Sequence, residues 1–469
     1  FPKVGGLVVF PLGTVDVKET KAPVGYNLPI PNIGGGEDAN LYVYDVDTIN
    51  GGSVALSVLQ TSQIPEEVVS GDVEVQKLDS QTNGVTPQGD ASLTGAIYAI
   101  TNNSANPVYI DVDGVGGNPG AYYINGQVIT TINTSGLGNI AATTGKLLPY
   151  GDYTIVEITP PTGYLLNNTW SRNFTISTDG QMVSFTNGDA MSDTPISGGV
   201  RVQKADFDTG TSVAQGDATL AGAEFSITNR SANAVIVDGK TCAPNTVCKV
   251  ITTNASGIAE TGLNDLPYGT YSIAETKAPT GYVINTSFNP TFSIVGNGVI
   301  VDLTTATKVA ENVVRGGVQI TKNDAELGKS EAIGGDGHTG GLYGTDLNNI
   351  EFTITNTSPG YVTVNGVSYA PNAIVKTMLS HWNATLGKYT AETTNIELPY
   401  GTYSVRETKT NGTYLLTDGL PKTFNIRTQG AMVTTTSTST PLTFNNNVIR
   451  GDFNFNKIAN MNFASEFCT

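Results

Sequence analysis

The sequence predicts an all-β protein built from tandem β-sandwich domains, and three observations lead to this fold class. Short segments that alternate apolar and polar residues, such as VRVQK and AEFSIT, are bounded by Gly, Asn, Asp or Pro. No stretch combines an amphipathic helical period with helix caps. Two phrases recur at domain-sized intervals, which indicates repeated units that each bury their own core. Short strands in series with frequent turns are typical of antiparallel sandwiches.

The first recurring phrase is an alternating strand that ends in lysine, which we call the lysine strand. It reads VEVQK at Lys77, VRVQK at Lys204, VQITK at Lys322 and FNFNK at Lys457. The repeats are too long to be solenoid units that need their neighbours to form a core. They therefore predict a series of independent domains.

The second phrase is a strand that carries an acid and is followed by a turn. It reads GTVDVKETKAPVGY around Glu19, GDYTIVEITPPTGY around Glu157, GTYSIAETKAPTGY around Glu275 and GTYSVRETKTNGTY around Glu407. The first acid has no lysine strand before it, and the last lysine strand has no acid phrase after it. The two phrases are thus out of phase at both ends of the chain.

Domain boundaries are predicted just before each lysine strand, at short glycine-containing junctions that favour a semi-rigid rod. The chain end NFASEFCT resembles the second strand of a repeat, and the chain start resembles the later part of one. Placed end before start, the two pieces read as one whole repeat, so that one copy would complete the next. The predicted units are a partial domain at 1–71, complete domains at 72–198, 199–316 and 317–451, and the first strands of a further domain at 452–469.

Composition and charge exclude several classes of function. The 469 residues carry a formal net charge of −17, which disfavours binding to nucleic acid phosphates and to anionic membranes. No apolar run approaches the roughly 20 residues of a membrane span, and we expect export and anchoring signals to lie outside this chain or to have been removed. With only two histidines, no histidine metal cluster or catalytic triad is predicted, and no cofactor or metal is expected.

Cys242 and Cys248 flank a Pro-Asn turn, and the next domain has Tyr369 and Val375 at the equivalent places. Two apolar residues that face each other across a hairpin, replaced by two cysteines, favour a cross-strand disulfide. The alternative is a pair of reduced, buried thiols. A disulfide would indicate an oxidising, extracellular setting.

The repeated phrases closely resemble the Cna-B (SpaA-type) immunoglobulin-like domains of Gram-positive pilins and surface adhesins. The residues that carry the resemblance are the lysine strand, GAEFSI, LPYGTY and the acid phrase ETKAPTGY, which that family calls the E-box. The resemblance covers essentially the whole chain. It implies immunoglobulin-like sandwiches in which a first-strand lysine and a last-strand asparagine form an intramolecular isopeptide bond, assisted by the E-box acid.

The chemistry of such a bond explains the residue types. Burial in an apolar core lowers the pKa of an amine and frees it as a nucleophile. Burial raises the pKa of a carboxylic acid, which can then polarise the amide carbonyl. The fold holds the two groups together, so that the amidation becomes a favourable local reaction. Each domain reacts once, so this chemistry does not make the protein an enzyme.

The resemblance is carried over residue by residue, with one acceptor position to be chosen in each domain. In the split domain, QIPEEVVSG places Glu66 and Glu67 where an asparagine is expected. The candidate sets are Lys77, Glu157 and Asn187, with Asp193 as a second choice; Lys204, Glu275 and Asn312; Lys322, Glu407 and either Asn446 or Asn447; and, between subunits, Lys457 and Glu19.

The leading functional hypothesis is a structural subunit of an extracellular filament, a pilus or another surface fibre. Its partners would be other copies of itself, joined head to tail when residues 452–469 of one copy supply strands to residues 1–71 of the next. One alternative is a segment of a giant tandem-repeat stalk. Another is an adhesin that binds host or environmental ligands, for which Tyr122, Tyr123 and Trp382 are the only aromatic indications.

Overall fold

The computed structural model of the chain forms three successive β-sandwiches, preceded by shorter pieces of strand. The strands before residue 20 and at 41–44 are described by their backbone alone. The structure describes residues 3–4, 7–8, 15–18, 20–28, 41–44, 66–110, 120–304, 308–332, 346–416 and 419–455.

The first sandwich begins with the lysine strand that contains Lys77. It also contains a single 3-10 turn at Asn187–Asp189. Its strands are Ser70–Asp79, Ile97–Asn102, Val108–Ile110, Ala121–Tyr123, Val128–Asn133, Ile140–Ala142, Leu148–Pro149, Gly151–Thr159, Tyr164–Leu165, Ser171–Ile176, Met182–Phe185 and Met191–Pro195.

The second sandwich follows after one intervening residue. Its strands are Ser197–Asp206, Glu224–Asn229, Val235–Val237, Lys240–Cys242, Val247–Thr252, Ile258–Glu260, Leu266–Pro267, Gly269–Lys277, Thr291–Ile294, Ile300–Asp302 and Val309–Glu311.

The third sandwich repeats this order. Its strands are Arg315–Asp324, Glu351–Asn356, Val362–Val364, Val367–Tyr369, Ile374–Leu379, His381–Asn383, Lys388–Glu392, Leu398–Pro399, Gly401–Lys409, Lys422–Ile426, Met432–Val433 and Thr443–Asn446. Ahead of the first sandwich, Lys3–Val4 pairs with Leu7–Val8, and Val15–Lys18 pairs with Leu41–Tyr44, both antiparallel.

Each sandwich has two sheets with the same topology. In one sheet, the lysine strand is central: Ser197–Asp206 pairs antiparallel with Ile258–Glu260 and parallel with the last strand, Val309–Glu311. We call that last strand the closing strand. In the other sheet, the E-box strand Gly269–Lys277 pairs antiparallel with Glu224–Asn229. The closing strand therefore lies directly beside the lysine strand, although the two are at opposite ends of the domain in sequence.

Strand alternation explains why the lysine faces the core. In Ser70–Asp79, Val73, Val75 and Lys77 occupy alternate positions and are fully buried, because successive side chains of a strand point to opposite faces. Aromatic rings fill the space between the sheets. Tyr153 and Phe174 stack at 5.5 Å in the first sandwich, and the equivalent pairs in the other two are Tyr271–Phe292 and Tyr403–Phe424.

A short backbone contact within each domain recurs in register, between the turn after the acid phrase and the segment just ahead of the next lysine strand. In each case the acceptor is the backbone carbonyl of the residue before a tyrosine. The donor is a backbone amide just ahead of the next lysine strand. The four bonds run from Val69 to Gly25, from Ile196 to Gly163, from Val314 to Gly281 and from Ile449 to Thr413, at 2.8–2.9 Å. In three of these bonds the accepting residue is a glycine that lies against the tyrosine ring of the LPYG phrase in the next sandwich, at Tyr150, Tyr268 and Tyr400, and this packing is a contact between successive domains.

The all-β fold class of tandem sandwiches is confirmed, and so is the disulfide between Cys242 and Cys248. The cysteines lie on the adjacent strands Lys240–Cys242 and Val247–Thr252, with their Cα atoms 5.4 Å apart. Most of the predicted split domain, including residues 456–469, lies outside the described residues. That domain and the predicted boundaries stay predictions.

Candidate functional site

Each sandwich buries a lysine beside an E-box glutamate and a polar residue of the closing strand. The strand register produces this arrangement. Lys77 pairs with Met191, Lys204 with Val309 and Lys322 with Phe444 in the parallel ladders. Two residues further along the closing strand, the side chain returns to the face of the lysine. Those positions are Asp193, Glu311 and Asn446, and all three are buried.

In the first sandwich, the lysine lies between two carboxylates. The ammonium of Lys77 is 2.7 Å from Oε1 of Glu157 and 2.6 Å from Oδ1 of Asp193. All three side chains are fully removed from solvent. Tyr98, whose pKa is raised mainly by burial, lines the same cluster.

The second sandwich has the same arrangement with a longer acceptor side chain. The ammonium of Lys204 is 2.7 Å from Oε1 of Glu275, and it also forms an ion pair with Glu311. The ring of Phe225 lies 5.2 Å from the ammonium. The second carboxylate oxygen of Glu275 accepts from the backbone amide of Asn285 at 2.9 Å, which fixes the orientation of the carboxylate.

In the third sandwich, the acceptor is an amide. The ammonium of Lys322 is 3.2 Å from Oε2 of Glu407 and donates to the carbonyl of Phe444 at 3.2 Å. The amide nitrogen of Asn446 donates to Oε1 of the same glutamate. Glu407 thus contacts both the amine and the amide that would react with each other.

Three carboxylic acids of the first two clusters have raised pKa values. Burial raises the pKa of Glu157 to about 7, although the charge of Lys77 acts in the opposite direction. Burial, with the neighbouring Glu275, raises the pKa of Glu311 to about 8. Burial also raises the pKa of Asp193. Two carboxyl groups around one ammonium can retain a proton near neutral pH, because burial and the second carboxyl group both disfavour a second negative charge.

The structure corrects the acceptor assignment in the first two sandwiches. Asn187 lies in the 3-10 turn, where its side chain donates to the hydroxyl of Thr186 on the surface. Asn312 is exposed, and its carbonyl accepts from the backbone amide of Val283 in the same sandwich. The residue beside Lys204 is Glu311, and the residue beside Lys77 is Asp193, the second choice for that domain.

An error of face explains the choice of Asn312, whereas the choice of Asn187 follows from the fit of SFTNG to the strand pattern of the family. Counting back from the domain junction selects Thr194, Asn312 and Asn447, which are equivalent to one another and all exposed. A shift of one residue moves a side chain to the opposite face of a strand. Alternation between the buried Val309 and Val313 could have located Glu311 from the sequence, because the core face takes every second residue. In the third domain, Asn446 rather than Asn447 faces the lysine.

Two of the predicted site residues, Glu19 and Lys457, lie outside the described residues. Their proximity in neighbouring copies remains a prediction. The aromatic residues that could indicate a ligand site differ in their exposure to solvent. Tyr122 is 72% exposed, whereas Trp382 packs edge-on against the buried Tyr389.

Comparison with protein families defines the class of the protein. The family model of SpaA prealbumin-like fold domains matches residues 71–189, 200–308 and 341–441. The chain therefore belongs to the SpaA-type family of prealbumin-like domains, present here in three copies. A comparison with curated proteins found no match.

Several solved structures are similar to the chain at low sequence identity. The Bacillus anthracis TIE protein is 22% identical, with a TM-score of 0.45; the match covers 82% of this chain and 51% of that protein, about half its length. BcpA, the major pilin subunit of Bacillus cereus, is 14% identical over 80% of this chain and 99% of its own, with a TM-score of 0.25. A mutant form of the shaft pilin SpaA from Lactobacillus rhamnosus GG is 15% identical over 52% of this chain and 98% of its own, with a TM-score of 0.19.

In the part of the chain that the structure describes, there is no helix of the length and apolarity that a membrane crossing requires.

Proposed function

We propose that this chain is a structural subunit of an extracellular, pilin-like fibre, in which each sandwich ties its lysine strand to its closing strand by an isopeptide bond. The observation that carries the proposal is the recurrence, in three sandwiches, of a fully buried lysine in contact with an E-box glutamate and beside a carbonyl-bearing side chain of the closing strand. Membership of the SpaA-type domain family supports a structural role.

In the third sandwich, the proposed reaction joins the amine of Lys322 to the side-chain carbonyl carbon of Asn446. The C–N bond to the Asn446 amide nitrogen breaks, and that nitrogen leaves as ammonia. Glu407 contacts the amine and the leaving nitrogen at the same time, so it can take a proton from one and deliver a proton to the other. One amide replaces another, and no oxidant or cofactor is required.

In the first and second sandwiches, the acceptors are carboxyl groups, so the balance differs. The amine of Lys77 would bond to the side-chain carboxyl carbon of Asp193, and the amine of Lys204 to that of Glu311. Each condensation releases one water. The raised pKa values of these acids support it, because a protonated carboxyl group loses water far more readily than a carboxylate.

The position of the bond explains its value in a fibre. The chain enters each sandwich through the lysine strand and leaves through the closing strand, which lie side by side and parallel. A bond between them carries tension directly from one joint to the next. By analogy with a disulfide that closes a loop of about 100 residues, it would stabilise each sandwich by ~5 kcal/mol.

Intact mass spectrometry under denaturing conditions tests the cross-links. After reduction of the disulfide, we expect the mass to be lower than that of the sequence by one ammonia and two waters. Peptide mapping should recover Lys322 joined to Asn446, and the lysines of the other two sandwiches joined to their acids. A chain with the full mass of its sequence would reject the proposal.

The same register extends the proposed chemistry to the split domain. Glu66 precedes Val69 by the interval that separates Glu311 from Val314, and both of those valine amides donate to the glycine before the tyrosine of their own domain's acid phrase. Glu66 therefore occupies the acceptor position, as Glu311 does in the second sandwich. This supports a fourth set, Lys457, Glu19 and Glu66, with the lysine donated by another copy.

Exposed aromatic residues support assembly by strand addition. Phe453 and Phe455 are 83% and 78% exposed, whereas the equivalent Val73 and Val75 of the first sandwich are fully buried. A strand with two unburied core residues is stabilised by a sheet that covers them. We take the occupant to be residues 1–71 of a second copy.

Substitution of both phenylalanines tests this assembly. The double variant Phe453→Ser and Phe455→Ser should remain monomeric in sedimentation, whereas the native chain forms head-to-tail polymers. Phe207→Ser is the matched control, because Phe207 is 63% exposed but lies outside any strand. A native chain that stays monomeric would favour the alternative, a segment of a longer tandem-repeat stalk.

A further inference from the structure

The first and second sandwiches are held together by a loop with the sequence Gln88-Gly89-Asp90. The amide of Gly89 donates to the carbonyl of Ala234 at 3.1 Å, and the carbonyl of Gly89 accepts from the amide of Asn233 at 3.0 Å. Asp90 accepts from the amide of Ala232 at 3.0 Å. The loop is thus recognised both through the backbone of its glycine and through the side chain of Asp90.

The glutamine of the loop links two domains through one side chain. Its amide nitrogen donates to both carboxylate oxygens of the buried Asp79, at 3.1–3.2 Å. Its carbonyl oxygen accepts from the amide of Ile236 in the next sandwich at 2.7 Å. Because Asp79 also accepts from the hydroxyl of Tyr164, the orientation of Gln88 is set inside its own domain before it reaches the neighbour.

The second and third sandwiches repeat this joint. Gly216 donates to the carbonyl of Tyr361 at 2.8 Å and accepts from the amide of Gly360 at 3.1 Å. Gln215 donates to Asp206 and accepts from the amide of Thr363 at 2.7 Å. The glutamine and the glycine thus make the same bonds in both joints, whereas Asp217, the equivalent of Asp90, contacts Thr402 and Arg427.

The central glycine is required by both its backbone and its surroundings. Gly89 and Gly216 have φ angles of +56° and +54°, in the left-handed region. A Cβ atom would lie 2.1 Å from the carbonyl oxygen of Tyr268 at the first site and 2.2 Å from that of Tyr400 at the second. A larger residue cannot make this approach.

The first sandwich has the receiving half of the same joint. Asn106, Pro107 and Tyr109 are equivalent to Asn233, Ala234 and Ile236. Among the residues that the structure describes, none bonds to the amides of Asn106 and Tyr109. Tyr109 is 47% exposed. With Tyr150 and Gly25 it lines a cleft of about 950 Å³.

At the first sandwich, half of the equivalent joint is already formed. Gly25 accepts from Val69 and lies against the ring of Tyr150, as Gly163 does against Tyr268. The loop that accompanies it in the other two joints is missing from the described residues. Residues 452–469 do not carry it, because the stretch from Lys457 to Phe467 is about half as long as that from Lys204 to Phe225 and contains no Gln-Gly-Asp.

We propose that the edge formed by Asn106, Pro107 and Tyr109 is a docking site for the Gln-Gly-Asp loop of another SpaA-type domain. The occupant is defined by the two filled joints: a turn with glycine at its centre, and a glutamine held by a carboxylate of its own domain. The proposal rests on the fibre function and deepens it, because it states which neighbour the first sandwich accepts.

Amide hydrogen exchange of the full chain tests the site. The probe is a synthetic peptide with the sequence of residues 84–95, added at millimolar concentration. In a second arm, the same sequence is fused ahead of Phe1 through a flexible Gly-Ser linker, which raises its effective concentration. We expect slower exchange of the amides of Asn106 and Tyr109. The amides of Ile236 and Thr363 serve as an internal reference, because their acceptors are in place.

The matched control is the same probe with Gly89→Ala, which keeps the charge and the glutamine but introduces the clashing Cβ atom. It should give no protection in either arm. Equal protection by both probes, or none by the native sequence even when fused, would overturn the proposal. The readout is independent of the lysine cross-links, so the docking site and the isopeptide bonds can fail separately.

Discussion

Lys204 and Glu311 form a buried ion pair across two parallel strands that neighbour each other in space but stand at opposite ends of their domain. The contact depends on register: Glu311 lies two residues beyond Val309, the partner of Lys204 in the ladder. Asn312, one residue further, is on the solvent side. A lysine and an acid that cannot reach water must share protons or react, and the following predictions separate these outcomes.

The acceptor in the third sandwich is predicted to be Asn446 and not its neighbour. Replacement Asn446→Ala should abolish the loss of ammonia and lower the stability of this sandwich by ~5 kcal/mol, as expected for a lost cross-link that closes about 100 residues. Asn447→Ala is the matched control, because Asn447 is exposed and adjacent. Intact mass and urea unfolding measure both effects. Retention of the ammonia loss in Asn446→Ala would place the acceptor elsewhere.

The E-box glutamate is predicted to be needed for bond formation but not for folding. Glu407→Gln keeps the shape of the side chain but cannot transfer a proton between the amine and the leaving nitrogen. We expect a folded chain that keeps the ammonia of Asn446, as read by mass. Glu326→Gln, in a partly exposed salt bridge with Arg450, should react normally. Normal reaction in both variants would remove Glu407 from the mechanism.

An unreacted second sandwich is predicted to lose stability as pH rises. The pKa of Glu311 is about 8 in the folded chain against an ordinary value of 4.5. Between these values the folded state keeps a proton that the unfolded state releases, so the free energy of unfolding falls as pH increases. The stabilisation is complete below pH 4.5 and lost above pH 8. Its size is on the order of a few kcal/mol, since one pKa unit corresponds to about 1.4 kcal/mol.

Native-state hydrogen exchange at about pH 5 and about pH 9 spans most of this pH window. After correction for intrinsic exchange rates, it measures how the stability depends on pH. Glu311→Gln removes the titrating group, so its second sandwich should show a flatter profile. A reacted sandwich should also be flat, because the amide does not titrate. A rise in stability with pH in the unreacted chain would contradict the assignment of the proton to Glu311.

The joint between the second and third sandwiches is predicted to depend on Gly216. Gly216→Ala adds a Cβ atom 2.2 Å from the carbonyl oxygen of Tyr400, so the two sandwiches should separate. Gly210→Ala is a matched control: Gly210 also has a positive φ, of +65°, but a Cβ atom there would meet nothing within 4 Å. The control therefore carries only the backbone cost, about 1–2 kcal/mol. Small-angle scattering should show a broader distribution of dimensions for Gly216→Ala alone.

The disulfide is predicted to contribute about 2 kcal/mol to the second sandwich, from the entropy of closing a six-residue separation. Cys242→Ala with Cys248→Ala should lose this and also the buried contacts. The pair Cys242→Tyr and Cys248→Val, which copies Tyr369 and Val375 of the third sandwich, should recover the packing. Thermal unfolding of both variants with and without reductant measures the difference. If reductant leaves the native chain unchanged, the bond contributes nothing.

Local pattern was sufficient for several features of this protein. Alternation in VRVQK places Lys204 on the core face, because a strand directs every second side chain inward. The equivalence of Cys242 and Cys248 with Tyr369 and Val375 predicted a cross-strand contact, since a hairpin brings residues close in sequence together. The four acid phrases predicted the repeat, and the repeat predicted the family. Each of these inferences depends only on neighbours along the chain.

Only the tertiary structure decided which side chain meets each lysine and how the sandwiches join. The closing strand approaches the lysine strand from the far end of the domain, and a register error of one residue exchanges Glu311 for Asn312. Gln88 and Gln215 gave no signal in the sequence, because their function appears only when a second domain presents an amide to them. Periodicity determines which face a residue occupies within its own strand, whereas contacts between distant strands depend on packing that no local pattern records.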